Sequence, residues 1–324
     1  MPHRVVYYNG QFLPEREARV SIFDSGLLFG EFAFEMTRTF NQRPFQLRRH
    51  LERLHDSLEF LQIDPGMSLD ELERLTLETL GKNLPTESAE VDWHIRHDIS
   101  RGPAELYSPL FPEGLRPTII ISCWPLIKTL GRFAPNYDRG VNVIISSQQS
   151  IPPNLIDPRA KTRSRVHFQL AQLEAARQSP GSWPVLTDGD GYLTEGPSWN
   201  IFIVKDGTLI SPAGDEILHG VSREITLNAA LEAGIPTREG NISPALARTA
   251  DEIFCTATSF GIVHVSSFDG APVGTGQPGP IFNKLLPSWH AQVGLDFIAQ
   301  ARRYAELLPA WEAAEKTAAQ IPAS

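Results

Sequence analysis

The chain begins with apolar positions split by a turn pair, VVYYNGQFLP, where Asn9-Gly10 supplies the two residues a tight hairpin needs. A second strand is predicted at FAFEMTRTF, with a turn at NQRP after it. From FQLRRHLERLHDSLEFLQI the spacing becomes helical and puts Leu47, Leu51, Leu54 and Leu58 on one face; LDELERLTLETLGKNL repeats that type of pattern. VDWHIRHDISRG and PTIIISCWPLI return to strand character, so residues 1–130 are expected to form a small α+β domain. KTLGRFAPNYDRG is rich in turn formers, and its residues 131–139 are expected to be a linker to a larger domain at 140–324.

That larger domain is predicted to be strand-rich, through VNVIISSQQ, PVLTDGDGYLTEG, NIFIVKDGTLISP, DEIFCTATSFGIVHV and SSFDGAPV, with Asp-Gly turns at 188, 190, 206 and 269. Helices are predicted at VHFQLAQLEAARQ, at SREITLNAALEAG and from about residue 280 onward. The alanine-rich AELLPAWEAAEKTAAQ reads as a surface helix or a frayed tail. There is no internal repeat and no low-complexity segment.

Composition narrows the function. With 324 residues, 41% of them hydrophobic, the chain can bury a substantial core. A net charge of −9, with no dense basic stripe beyond the short RRHLER, argues against nucleic acid as a partner. Cys123 and Cys255 stand far apart without CxxC or HExxH spacing, so neither a disulfide framework nor a zinc site is indicated; buried thiols in a reducing compartment are expected. No apolar run reaches the length of a membrane span, and MPHRVVYYNGQFLPERE lacks the basic-then-apolar order of a signal peptide, so a cytoplasmic location is expected. Gly274, Gly276 and Gly279 match GxGxxG with Asp296 downstream, but the motif follows a turn and carries Pro278 and Pro280, which does not fit a dinucleotide fingerprint.

Positive charge is carried by arginine almost throughout, 23 residues against six lysines, which makes the single lysine in LIDPRAKTRSRVHFQLAQLEAARQ conspicuous. Taken alone, Lys161 reads as a surface residue at the approach to a helix. Four separated pieces change that: GEFAFEMTRTF with HLERL, the lysine in IDPRAK, YLTEGPSWNIFIV, and LHGVSRE with TATS. In order and spacing they resemble the fold-type IV pyridoxal-phosphate enzymes, a group that includes branched-chain aminotransferases, D-amino-acid aminotransferases, (R)-selective amine transaminases and aminodeoxychorismate lyase. The resemblance covers roughly residues 5–295.

It implies a two-domain α+β fold, a small α/β N-terminal domain and a larger C-terminal domain with a barrel-like, strand-rich core, with the ligand between them. It also implies a homodimer, pyridoxal 5′-phosphate as cofactor and ping-pong exchange with an amino donor and a 2-oxo acid. Lys161 then holds the cofactor aldehyde as a Schiff base and moves the substrate α-proton, a role closed to arginine because its guanidinium keeps its proton. Glu195, at a strand end broken by Gly196 and Pro197, would keep the pyridine nitrogen protonated. LHGVSREITLNAALEAG would bring a helix N-terminus to the phosphate, with Leu218 beneath the ring, Gly220 and Val221 at the helix start, and Ser222 resembling an N-cap and phosphate ligand. Arg53 matches the phosphate-binding arginine, and Thr258 and Ser259 the loop that completes the phosphate cup and approaches the substrate.

Substrate residues form a mosaic. PVLTDGDGYLTEG, IPPNLIDP and GQPGP look similar to the (R)-amine branch, whereas Arg96 in DWHIRHDIS, and Phe34, Glu35 and Arg38 in FEMTR, follow the branched-chain pattern. Phe34 and Arg38 are expected on one strand face by the period of two, and Arg96 is expected to meet a substrate carboxylate unless Asp98 pairs with it. A lyase using the same lysine, or a non-catalytic binding protein on the same fold, remain as other readings.

Overall fold

The structure, a computed structural model, describes residues 4–319. The chain divides into two compact units. The first takes the chain up to Thr129, the short piece Ala160–Ser164 and the chain from Glu306 on; the second takes Leu130–Arg159 and Arg165–Ala305.

In the first unit, β1 (Val5–Tyr8), β2 (Gln11–Pro14), β3 (Phe32–Phe40), β4 (Arg43–Pro44), β5 (Trp93–Ser100) and β6 (Thr118–Pro125) form one sheet. Its order is β2-β1-β6-β5-β3-β4, with every neighbouring pair antiparallel. Short helix α1 (Ser25–Phe29) precedes β3, and α2 (Leu47–Phe60) and α3 (Leu69–Asn83) lie between β4 and β5. Asn9 and Gly10, at φ 47° and 89°, make the predicted hairpin turn. The NQRP turn also forms, with Asn41 and Gln42 at φ 52° and 60°. The buried Asp92 carboxylate holds it by accepting from Thr39 Oγ1 and from the backbone N–H groups of Asn41 and Gln42. Helix α3 starts where Ser68 accepts from the Glu71 N–H, with Asp70 and Glu71 complementing the helix dipole.

Leu47, Leu51, Leu54 and Leu58 are all buried, as their spacing requires, and join Ala33, Trp93, Ile95, Ile99, Ile119 and Ile121 in the core under α2 and α3. The period of two divides each central strand. Glu35 and His97 point to the helix side with those apolar residues, His97 Nε2 lying 2.8 Å from Thr76 Oγ1 of α3. Phe34, Arg38, His94, Arg96 and Asp98 point to the opposite side, in the register Phe34 to Asp98 and Arg38 to His94.

Buried imidazoles give this unit a pH dependence. Burial, reinforced by Arg38, pushes His94 down to about 3, and burial likewise brings His97 down to about 4. Both are neutral when folded and take up protons near their ordinary value when unfolded, so between these limits the unfolded state binds more protons. Stability is therefore full above about pH 6.5 and is lost as pH falls through 5 toward 4, by up to about 1.4 kcal/mol per pH unit for each histidine. Thermal unfolding at pH 7, 6, 5 and 4.5 is expected to show a falling midpoint, and the slope is expected to shrink in His97→Gln; a flat midpoint would count against neutral burial.

In the second unit, β7 (Val141–Gln149), β8 (Trp183–Thr187), β9 (Glu195–Gly196), β10 (Trp199–Lys205), β11 (Thr208–Ser211), β12 (Thr237–Glu239), β13 (Glu252–Ala257), β14 (Gly261–Phe268) and β15 (Ala271–Pro272) form a nine-stranded sheet. Its path is β12-β11-β10-β13-β14-β7-β8, with β9 on β10 and β15 on β14. The pairs β11–β12, β14–β7 and β7–β8 are parallel, the others antiparallel. The Asp206-Gly207 and Asp269-Gly270 turns have the positive φ angles their sequence predicts. Helices α6 (Val166–Gln178), α7 (Val221–Glu232), α8 (Pro244–Arg248) and α9 (Pro280–Val293) are joined by α10 (Phe297–Ala319), which closes the described chain.

Three expectations change. Residues 131–139 are not a linker: α4 (Ile127–Phe133) and α5 (Pro135–Arg139) occupy them, and Leu130, Ala134 and Tyr137 are buried. The turn formers there serve as caps, Pro135 in the first turn of α5 and Gly140, at φ 72°, after its last. The lysine segment belongs with the first unit, and so does the chain from Glu306, instead of the boundaries at 130 and 140. Of the two readings of the alanine-rich segment, the helix holds, tied down there with Glu315 paired to Arg4 and Trp311 Nε1 donating to Glu87. The glycine-rich decoy is a turn followed by the cap of α9, whose first N–H groups, on Ile281 and Phe282, are taken by the Glu252 carboxylate.

Candidate active site

Lys161 sits on a short extended segment added to the free edge of β3. Its C=O accepts from Phe34 N–H and Phe32 C=O accepts from Arg163 N–H, each at 2.9 Å, with an antiparallel bridge from Ala33 to Thr162 between them. The Lys161 N–H in turn donates to Ser57 Oγ on α2 at 2.9 Å. The lysine backbone is thus fixed by sheet and helix together. Its Nζ lies 4.8 Å from the centre of the Phe34 ring.

On the helix side of β3, Glu35 is fully buried and joins two α2 residues one turn apart. Arg53 donates to it twice, Nε to Oε2 at 2.8 Å and Nη2 to Oε1 at 2.7 Å, and His50 Nδ1 lies 3.1 Å from Oε1. Burial alone would push the Glu35 carboxyl up, but Arg53 and His50 overcome it and hold it well below the usual carboxylate range.

On the opposite side, Asp98 lies between two arginines. Arg163 donates to its Oδ1 from Nε and Nη2, at 2.9 and 2.7 Å, and Arg96 Nε approaches its Oδ2 to 2.7 Å, an ion pair without an aligned hydrogen bond. The Arg163 guanidinium stacks 3.7 Å from the Phe34 ring, and that of Arg96 lies 5.0 Å from Trp124. Arg38 shares the face of Phe34 as predicted, but is buried over Phe40 with its Nε on the Thr39 C=O.

In the second unit a row of polar side chains crosses three strands: Glu195 of β9 is opposite Asn200 of β10, which is opposite Thr256 of β13. Glu195 Oε1 accepts the Leu218 N–H at 3.1 Å, and Asn200 Nδ2 donates to the Leu218 C=O at 3.0 Å, so the segment leading into α7 is clasped on both sides. Gly220 is required: a Cβ there would lie 2.1 Å from Asn200 Oδ1. Gly220, not Ser222, is the cap residue of α7; Val221 and Ser222 are its first two helical residues, both buried. Because the extended cap position falls on glycine, the serine hydroxyl sits inside the first turn beside the free N–H groups. Thr258 and Ser259 form the turn between β13 and β14.

The first unit therefore puts Phe34 and Arg96 on one face of its sheet with Lys161 at the edge, and Arg53 on the opposite, helix side; the second brings Glu195, Leu218, Gly220, Val221 and Ser222 together. Sequence reasoning missed the partners: Glu35 for Arg53, Ser57 for the lysine backbone, Arg163 for Asp98, and Asn200. Only the acid in FEMTR and the arginine two residues beyond the lysine were signals.

Comparison with known proteins gives the family. The family described as amino-transferase class IV matches residues 33–268. A putative branched-chain-amino-acid aminotransferase of Methanocaldococcus jannaschii is 34% identical over 282 residues, covering 86% of this chain and 93% of that protein. The branched-chain-amino-acid aminotransferase of Escherichia coli (strain K12) is 30% identical over 286 residues, covering 86% of this chain and 90% of its own. Among solved structures, the branched-chain amino acid aminotransferase of T.th. with pyridoxamine 5′-phosphate superposes with a TM-score of 0.80 at 26% identity, over 91% of this chain and 95% of that one. The chain belongs to the class IV aminotransferases.

Proposed function

We propose that this aminotransferase moves an amino group between an amino acid or primary amine and a 2-oxo acid by a ping-pong reaction, with Lys161 as its catalytic base. The observation that carries the reading is the lysine whose backbone is fixed on both sides while its amine lies at the Phe34 ring.

The cofactor of the family, pyridoxal 5′-phosphate, supplies an electron sink for charge developing at the substrate α-carbon. The residues present fit it. The first turn of α7 offers backbone N–H groups, and Thr256 Oγ1 is buried with no hydrogen-bond partner among the described residues. Val221, Ser222 and Thr258, with Arg53, would hold the phosphate; Leu218 would support the ring; Glu195 would keep a proton on the ring nitrogen. Lys161 would take the α-proton with its amine and return it to the other side of the exchange. Ser259, Phe34 and Arg38 would line the substrate; the pairing of Arg96 with Asp98 favours its structural reading over a role in binding the substrate carboxylate.

The named relatives favour branched-chain donors. The similarity of IPPNLIDP and PVLTDGDGYLTEG to the (R)-amine branch supports D-amino acids or (R)-amines as additional donors. Half-reactions with paired D- and L-amino acids and (R)- and (S)-amines, followed through the cofactor spectrum, test this: conversion by none of them, or pyruvate release without an acceptor, would favour a lyase. A homodimer is supported by the exposed Ile22, Leu27 and Phe29 around α1, and a reducing compartment by the two buried free thiols.

Glu195→Gln is expected to lower turnover by roughly 10²-fold with a much smaller loss of cofactor affinity, because only the charge is removed and the Leu218 N–H keeps an acceptor. Turnover near that of the wild type would assign the nitrogen proton to another group.

A further inference from the structure

We propose that Ser57 is a positioning residue for Lys161, holding the catalytic amine in register with the α2 turn that carries Arg53. The inference rests on the reading of Lys161 as the catalytic base and goes beyond it, to the side chain that keeps that base in place. Ser57 is fully buried and uses both functions of its hydroxyl: Oγ donates to the Arg53 C=O at 2.8 Å and accepts the Lys161 N–H at 2.9 Å. A serine inside a helix satisfies its hydroxyl through the carbonyl four residues back and needs no second partner. Here the oxygen takes one, and that partner is the backbone of the lysine, 104 positions away.

The contact closes a circuit. Lys161 is tied to β3 through the Phe34 N–H, and the next residue of β3, Glu35, accepts two hydrogen bonds from Arg53 on the helix side. Arg53 gives its C=O to Ser57, and Ser57 returns to the Lys161 N–H. One small side chain therefore completes the path from the amine to the arginine proposed for the phosphate. Little else steadies the segment. Its pairing with β3 is a single backbone bond on each side of the bridge between Ala33 and Thr162, and residues 150–160 before it form neither helix nor strand. Without the Ser57 acceptor the lysine backbone is free to shift along the strand edge, and a displacement of about 1 Å in a reacting group can cost roughly 10²-fold in rate.

The test compares Ser57→Ala, which removes the acceptor, Ser57→Cys, which keeps the volume but accepts weakly, and Ser57→Thr, which keeps the oxygen. Hydrogen–deuterium exchange of the holoenzyme reads the backbone directly. In peptides covering Lys161, exchange is expected to be at least about tenfold faster than wild type in Ser57→Ala and Ser57→Cys, the effect of losing one hydrogen bond, and slower again in Ser57→Thr. Turnover is measured with leucine as donor, or with whichever donor of the paired screen the wild type converts. In Ser57→Ala and Ser57→Cys kcat is expected to fall about 10- to 100-fold while KM changes by less than about threefold, and Ser57→Thr should recover part of the loss. Unchanged exchange at Lys161, or a kcat within about twofold of the wild type in both Ser57→Ala and Ser57→Cys, would overturn the role of Ser57. A loss in Ser57→Ala that Ser57→Cys repairs would trace the effect to packing volume and overturn it as well. Failure of the wild type to exchange an amine with any donor would instead overturn the reading of Lys161.

Discussion

Lys161→Ala is expected to lose turnover by at least about 10⁴-fold, because the substitution removes the nucleophilic amine and the proton-transfer group together. The fold should survive it. The segment is held by its backbone, through the Phe34 N–H, the Phe32 C=O and Ser57 Oγ, and alanine keeps all three. Lys161→Arg should be equally inactive although it keeps the charge and most of the reach, since a guanidinium does not deprotonate near neutrality. Single-turnover spectra with a reactive donor, alongside circular dichroism, measure both quantities. A Lys161→Arg enzyme with more than about one hundredth of the wild-type rate would show that the amine does not carry the proton.

Glu35→Gln is expected to destabilise the first unit by about 3–5 kcal/mol, the usual cost of removing one partner from a buried ion pair. The carboxylate is fully buried and accepts two bonds from Arg53, so the amide would leave a buried guanidinium facing a neutral group that presents hydrogen atoms to one of its donors. The Met36 N–H, which also donates to Oε1, competes for the same remaining carbonyl. Urea unfolding of the wild type, Glu35→Gln and the double variant Glu35→Leu with Arg53→Leu separates the contributions. The double variant should recover most of the loss, because an apolar pair leaves no stranded charge. A single variant within about 1 kcal/mol of the wild type would mean that the pair contributes little beyond its own desolvation.

Local rules made some of this legible in the sequence. The leucine spacing of α2 and the Asn-Gly and Asp-Gly turns depend only on periodicity and on φ preferences, and the structure keeps them. The motif order around Lys161, Glu195 and Leu218 pointed to the family for a similar reason: each motif is a short piece of backbone. Features that depend on distant partners were not legible. KTLGRFAPNYDRG is turn-rich in composition, yet Phe133 stacks on Phe260 and the Tyr137 hydroxyl donates to the Phe260 C=O, contacts that no local count of Gly and Pro reveals. Ser222 looked like a cap because serine is a good one, but Gly220 is the residue that fits beside Asn200. The edge pairing of residues 161–163 with β3 joins segments more than a hundred positions apart, and the sequence around the lysine has no long strand pattern. Asp98 was weighed as a partner for Arg96; its pairing with Arg163 depends on that edge segment and was invisible without it.

The most direct test of the lysine assignment is chemical. Borohydride reduction of the purified holoenzyme, followed by proteolysis and peptide mapping, should place the pyridoxyl adduct on Lys161 within IDPRAKTRSRVH. An adduct on Lys128, Lys205, Lys284 or any other lysine would contradict it.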